Sequence, residues 1–316
     1  MIFIAELCQN HNGDVDLMKK MAYEAKEAGS DYAKIQTIFA DMVAYRERFE
    51  DGLIENGEQK IIKRPFKEEC ERLKGLEISY EHQRKFIEYC EEIEIKPLTT
   101  AFTRDSVDMI SDAGFKDIKI ASYDCGSDKL LEDIKDKFTK IFVSTGASFD
   151  SEIEKAGEIL SGKDLYMLHC VTMYPTPLDQ FHLSRMELLK KYTKNVGWSD
   201  HSLVSKNGIK GTLASIYFGA SVVERHLTIL PEDQTKDGKV SIRPDHIKEI
   251  KLFSALSKKD QESYLLEHFP NYKVTQGDVN RSLSAEELKN RDYFRGRFAN
   301  INEDGSTYFN WENSNE

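Results

Sequence analysis

Eight short apolar runs recur along this chain, separated by helix-length amphipathic segments, and that alternation limits its possible folds more than any other feature. The runs fall at 2–8, 31–37, 96–102, 117–122, 140–146, 165–170, 195–200 and 220–227. Helical periodicity fills about 15–28, 80–93, 104–113, 129–137, 151–160 and 245–257, with Gly29 placed to stop the first helix. Eight strands alternating with helices is the count of an α/β fold closed as a (β/α)8 TIM barrel. A doubly wound open sheet more often shows fewer strands and a glycine-rich first turn, and no G-x-G-x-x-G follows the first run. The segment 38–77 has no sustained period and is too long for an ordinary connection, so it reads as a lid over the barrel's active rim. The chain thus divides into a barrel at 1–257 and a C-terminal extension at 258–316, charged and patched with Tyr293, Phe294, Phe298, Tyr308, Phe309 and Trp311. The extension reads as a tail laid on the barrel or a small module, with its last five residues disordered.

Composition excludes several classes of partner. With 44 Lys+Arg against 55 Asp+Glu the formal net charge is −11, which argues against non-specific binding to nucleic acid or to an anionic membrane. Any anionic ligand must therefore meet local cations. The five cysteines (Cys8, Cys70, Cys90, Cys125, Cys170) are odd in number and form no C-x-x-C pair, so they read as reduced, mostly buried thiols rather than a disulfide framework or structural zinc site. The apolar start meets Glu6 at once, unlike a signal peptide, and no apolar run approaches the roughly 20 residues that span a bilayer. A cytoplasmic enzyme is the expectation.

Polar residues collect in the last positions of the apolar runs: Glu6, Lys34 with Gln36, Thr100, Lys119 with Ser122, Ser144, His169, Ser199 with His201, and His226. In a barrel those positions face one rim. Singly, each has a structural explanation, since Ser and Thr satisfy strand-end backbone and a lysine can extend its head to solvent. As a set they carry a desolvation cost that a ligand would offset. Two lysines with four hydroxyls suit a phosphate. His201 and His226, 25 residues apart on neighbouring strands, suit a borderline divalent ion such as Mn, Fe, Co or Zn with positions left open to water or substrate. Glu6 and Asp237 add carboxylates that could orient hydroxyls or move protons. Such a pocket fits metal-assisted carbon–carbon bond formation on a phosphorylated substrate, or phosphate-ester hydrolysis, and spacing alone does not choose.

The sequence also resembles a known family. I-A-E-L-C-Q-N-H-N-G-D at 4–14, K-I-Q-T at 34–37, K-I-A-S at 119–122, S-T-G at 144–146, L-H-C-V-T-M-Y-P-T-P at 168–177, G-W-S-D-H-S at 197–202 and E-R-H-L-T at 224–228 look like the motifs of the sialic acid synthases, in order over about 2–257. The resemblance implies a (β/α)8 barrel and condensation of phosphoenolpyruvate with an N-acetylated amino-hexose. N-acetylmannosamine or a diacetamido-trideoxyhexose would be the acceptor, and phosphate and a nine-carbon 2-keto acid for surface polysaccharide or glycan the products. It further implies that His201 and His226 hold a divalent metal, usually Mn2+ or Mg2+ with Co2+ as an alternative, which polarises the sugar aldehyde. Lys34, Thr100, Lys119, Ser122, Ser144 and Ser199 would hold phosphoenolpyruvate, and Gln36, Tyr174 and Asp237 the sugar. Glu6 and Asp124 would handle protons or position water, with Lys119 also catalytic, while His169 reads as pocket floor or core.

Departures from the family pattern raise further expectations. Glycine is usual where this chain has Cys8 and Tyr123, so the walls near the first and fourth strands are expected to be narrower. Most members continue into an antifreeze-like domain that reaches across a homodimer to offer an arginine; here R-S-L at 281–283 runs through Ser284 into A-E-E-L-K-N-R-D-Y-F-R-G-R-F-A. That domain is expected to be missing or replaced, with Arg295 or Arg297 in the tail covering a barrel mouth, against the alternative of a tail docked for stability alone. The other readings are a phosphoenolpyruvate-dependent synthase of a different keto-sugar acid, a non-catalytic sugar- or phosphate-binding paralogue, and a Schiff-base aldolase built on Lys34 or Lys119.

Overall fold

Runs of four to six residues rich in Ile, Val, Phe and Ala are too short for helices and pair side by side as strands. The computed structural model describes residues 1–313 and places them as β1 Ile2–Glu6, β2 Tyr32–Thr37, β3 Lys96–Ala101, β4 Asp117–Ile120, β5 Lys140–Ser144, β6 Asp164–His169, β7 Asn195–Asp200 and β8 Val222–His226. These eight strands form one closed barrel, every neighbouring pair parallel. Closure sets Glu6 opposite His226 on one side and Lys34 on the other. Helices between the strands include Val15–Glu27, Tyr80–Glu92, Ser106–Ala113, Asp128–Lys135, Asp150–Ile159, Lys210–Tyr217 and Pro244–Ala255. The first starts where the Asp14 side chain accepts from the backbone N–H groups of Asp16 and Leu17, and ends before Gly29, whose φ of 93° turns the chain back.

Strand alternation decides which side chains reach the site. Ile4, Tyr32, Leu98, Phe142, Leu168 and Val222 make one buried apolar cluster that fills the barrel's lower interior. Two residues further along a strand the side chain lies on the same face. Glu6, Lys34, Thr100, Ser144 and Glu224 therefore form the next layer up, towards the carboxyl ends. The intervening residues, such as Phe3, Ala33, Ile118, Met167 and Trp198, pack outward against Met18, Phe86, Leu131, Leu213 and Ile247 of the helices.

The segment 38–77 is more ordered than its sequence suggests. It holds a short helix Arg48–Asp51, an antiparallel hairpin of Leu53–Glu55 with Glu58–Ile61, and a helix Phe66–Lys74. The hairpin turns at Asn56-Gly57, both with positive φ, and that dipeptide was the readable signal. The extension forms helices Lys258–His268 and Ala285–Phe294 and a two-residue antiparallel pairing of Asn300–Ile301 with Thr307–Tyr308. It is a docked layer: Asn290 Nδ2 donates to Thr172 O at 2.7 Å, Asn310 Nδ2 to Phe102 O at 2.9 Å, and Arg291 pairs with Glu152 at 2.6 Å. Of the last five residues, expected to be disordered, 314–316 lie outside the described residues, whereas Glu312 O accepts from Arg104 Nη1 at 3.0 Å. No helix among the described residues is long and apolar enough to cross a membrane.

Candidate active site

The polar layer opens into a cavity of about 400 Å³ at the carboxyl ends of the strands. Its floor is an alternation of charge. Lys34 contacts Glu6 directly, donates to Thr100 Oγ1 at 3.1 Å and lies 3.8 Å from Glu224. Lys119 donates to Ser144 Oγ at 2.6 Å and lies 3.8 Å from the other oxygen of Glu224, to which Ser199 Oγ donates at 3.1 Å. Burial would raise the Glu224 carboxyl, but Lys119 and Lys34, followed by the two histidines, outweigh it and hold the group at about 2. Burial pulls the Lys34 ammonium below its ordinary range, and Glu224 opposes that fall. The floor thus sets two buried lysines against two buried carboxylates, with the hydroxyls of Thr100, Ser144 and Ser199 beside them.

Beside this floor stand the two histidines. His201 follows β7 and His226 ends β8, with ring centroids 5.3 Å apart. Their strand ends are tied together from behind by the outward-facing, fully buried pair Asp200–Arg225 at 2.6 Å, with Asp200 also accepting from Thr212 Oγ1 at 2.6 Å. Nδ1 of His201 and Nδ1 of His226 are both buried without a hydrogen-bond partner among the described residues. Burial, reinforced by His226, lowers the His201 imidazole to about 3, so it is neutral and has a lone pair to offer. Asp237 Oδ2 lies 3.6 Å from His226 Nδ1, and despite burial the contact with His226 holds that carboxyl at about 2. Ligand atoms of Cys8, His226 and Asp237 all fall within 4.8 Å of one another. Imidazole nitrogens without a hydrogen-bond partner next to a carboxylate fit a divalent cation.

Of the residues expected at the site, Glu6, Lys34, Gln36, Thr100, Lys119, Ser122, Ser144, Tyr174, Ser199, His201, His226 and Asp237 all line this one cavity. His169 and Asp124 do not. His169 sits one place out of step with inward-facing Leu168, so its ring points into the outer core, where Nε2 contacts Phe181 O at 2.9 Å and the ring packs 5.2 Å from Trp198. Asp124 turns away at a short helical turn, Ser122–Asp124, and accepts from Ser127 Oγ at 2.9 Å and Asn310 Nδ2 at 3.0 Å. Its place is a buried strut under the tail, which corrects the proton-handling position expected from sequence. Burial pushes its carboxyl up to about 6 against those two hydrogen bonds. Because the folded group takes its proton well above its unfolded value, this side chain lowers stability as pH rises to about 6 and keeps it lower above. Asp124→Asn is expected to raise stability near neutral pH by up to roughly 3 kcal/mol, to change it little near pH 4, and to leave turnover within about threefold, as read by melting curves at both pH values and an activity assay.

Glu224 is the cavity residue that reading strand ends overlooked. The tail also contributes: Tyr293, Phe294 and Arg297 line the mouth. The Phe294 ring stacks on Tyr123 at 5.6 Å and meets Tyr174 at 6.2 Å, while Tyr174 lies 4.4 Å from His201. Arg297 pairs with Glu69 of the 38–77 segment, and Arg72 donates to the same carboxylate at 3.0 Å. Arg295 is elsewhere, on Glu152 at 2.7 Å and over the Trp311 ring.

Comparison with known proteins gives a consistent picture. The chain matches the NeuB family over residues 21–260. It is similar to N,N'-diacetyllegionaminic acid synthase of Campylobacter jejuni, 31% identical over 257 residues that cover 78% of this chain and 73% of that protein. It is also similar to pseudaminic acid synthase of the same organism, 28% identical over 320 residues, 99% of this chain and 85% of that one. Among solved structures it resembles an N-acetylneuraminic acid (sialic acid) synthetase from Leptospira borgpetersenii, with a TM-score of 0.67, 27% identity, and coverage of 92% of this chain and 90% of that one.

Proposed function

The chain belongs to the NeuB family, and from that premise we propose that it condenses phosphoenolpyruvate with an N-acetylated amino-hexose. The acceptor is N-acetylmannosamine or a diacetamido-trideoxyhexose, and the product a nine-carbon 2-keto acid of the sialic acid type. The observation that carries this reading is the meeting, in one cavity, of the Lys34–Lys119 floor with two imidazoles whose buried Nδ1 atoms lack a hydrogen-bond partner.

Lys34 and Lys119 neutralise the phosphate and carboxylate of phosphoenolpyruvate, and the hydroxyls of Thr100, Ser122, Ser144 and Ser199 donate to the remaining oxygens. A divalent ion on His201 and His226, Mn2+ or Mg2+ with Co2+ as an alternative, supplies Lewis-acid polarisation of the acceptor's aldehyde when bound. Tyr174, Gln36 and Asp237 hold the sugar so that its carbonyl carbon meets carbon 3 of phosphoenolpyruvate. As that bond forms, positive charge grows at carbon 2; water adds there, and the carbon–oxygen bond to phosphate breaks. Glu6, hydrogen-bonded to the Cys8 N–H at 2.6 Å and in contact with Lys34, is placed to accept the water's proton.

The test is phosphate release from phosphoenolpyruvate with Mn2+ across a panel of amino-hexoses. Sugar-dependent release abolished by EDTA is expected; no release with any amino-hexose, while phosphoenolpyruvate still binds, would leave a binding-only protein. Arg297 supplies a narrower prediction. The residue lines the mouth with its guanidinium paired to Glu69, and its replacement by Ala is expected to raise the sugar KM at least about tenfold with a smaller change in the phosphoenolpyruvate KM. An unchanged sugar KM in steady-state kinetics would mean that Arg297 takes no part in holding the sugar.

A further inference from the structure

Cys8 lies two residues past the end of β1 with a backbone φ of 42°, a left-handed conformation that strains any residue with a Cβ by roughly 1 kcal/mol or more. Glycine would relieve the strain, yet a thiol stands there, buried and facing His226 and Asp237. The turn that carries it is clamped to the loop after β8. Asn10 Nδ2 donates to Leu227 O at 2.9 Å and to Ser241 Oγ at 2.9 Å, while Asn10 Oδ1 accepts from the Asp237 N–H at 3.2 Å. One buried amide thus fixes Cys8, the end of β8 and Asp237 against each other. The imidazole nitrogen beside them, His226 Nδ1, lacks a hydrogen-bond partner, as does His201 Nδ1. A strained backbone, a clamp, and an unsatisfied His226 nitrogen whose ring gathers with the Cys8 and Asp237 ligand atoms, with His201 on the neighbouring strand end, are what an ion site requires before the ion arrives.

We propose that Cys8 is a metal ligand, joining His201, His226 and Asp237, so that the site prefers a thiophilic borderline ion such as Co(II), Zn(II) or Fe(II) to Mg(II). The inference rests on the reading of His201 and His226 as a metal site. On coordination the S–H bond breaks with its electron pair left on sulfur, the sulfur–metal bond forms, and the proton leaves to solvent; nothing is oxidised. Glycine at this position would leave the ion with nitrogen and oxygen ligands only, a harder set.

The experiment is Co(II) titration of the metal-free full chain, followed by absorption spectroscopy and calorimetry. The wild type is expected to show a sulfur-to-cobalt charge-transfer band in the near ultraviolet beside its visible d–d bands. Cys8→Ser and Cys8→Gly should lose the charge-transfer band, keep d–d bands, and bind Co(II) at least about tenfold more weakly, with Mg(II) affinity changed far less. Cys8→Gly relieves the left-handed strain and is expected to melt, metal-free, no lower than wild type, which separates loss of a ligand from loss of the fold. If d–d bands respond to His201→Ala while the wild type shows no sulfur band, or if Cys8→Ser leaves that band in place, Cys8 is not a ligand and the histidine site stands. If no Co(II) binding depends on His201, both the ligand assignment and the metal reading fall.

Discussion

Replacing Lys119 with Met is expected to lower kcat/KM for phosphoenolpyruvate by about two to three orders of magnitude. Methionine matches the aliphatic stem closely enough to keep the packing and removes only the charged head. That head donates to Ser144 Oγ at 2.6 Å and to Ile120 O at 3.2 Å, so its loss also frees the Ser144 hydroxyl from its fixed orientation. The larger consequence falls on Glu224. Burial raises that carboxyl, and Lys119 is the foremost of the groups that bring it down to about 2. A carboxyl depressed in the folded state contributes stability above its unfolded value, and that contribution is lost as pH falls through the folded one. Without Lys119 the opposition to burial weakens, Glu224 takes up a proton at higher pH, and the acid limb of the stability profile moves upward. Breaking one side of a buried ion pair costs about 3 kcal/mol or more, so a lower melting temperature accompanies the kinetic loss. Steady-state phosphate release, phosphoenolpyruvate titration and melting curves between about pH 4 and pH 8 read the three effects together. A variant within about tenfold of wild-type kcat/KM would remove Lys119 from the substrate floor.

The barrel was legible because its physics is local. Each strand must be apolar on both faces, so the runs stand out, and their observed ends lie within two residues of those expected. Which strand residue faces the cavity depends on register, and there the sequence is weaker. His169 and Ser199 both look like polar strand ends, but His169 is one residue off the inward positions while Ser199 is on them. Glu224 escaped notice because it lies two residues before its strand's end. The signal was present in V-V-E-R-H: a Glu-Arg pair within a buried strand needs a partner for each charge on opposite faces, and Glu224 finds the lysines inside while Arg225 finds Asp200 outside. Tyr123 and Asp124 show the same limit in a turn, one lining the mouth and the other bonded to Asn310. In the tail, Gly296, with φ 71°, reverses the chain between Arg295 and Arg297 and sends them to Glu152 and Glu69 respectively. No periodicity encodes that choice, because both partners lie more than 100 residues away in sequence.

His201→Ala is expected to abolish turnover more completely than any substitution on the phosphate side, by roughly a thousandfold or more. On the proposed metal reading, several kcal/mol of charge stabilisation would leave with the ion, at about 1.4 kcal/mol per tenfold. Its effect on the metal-free fold should be small. The substitution forfeits the ring's contact with Tyr174 at 4.4 Å, but it also removes a buried Nδ1 that has no hydrogen-bond partner, and the second effect, roughly 1–3 kcal/mol, offsets the first. The two readouts therefore separate. Wild-type protein should gain melting temperature on adding Mn2+ by mass action, and His201→Ala should lose that gain while melting near the wild type in EDTA. The pH dependence is specific as well. With His201 lowered to about 3, its imidazole is already neutral across the working range, so no proton competes there and the Mn2+-induced shift should persist to well below pH 6.5 as far as this ligand is concerned. A His201→Ala protein that kept its Mn2+-dependent thermal shift would move the ion elsewhere, and with it the place where the acceptor's aldehyde is activated.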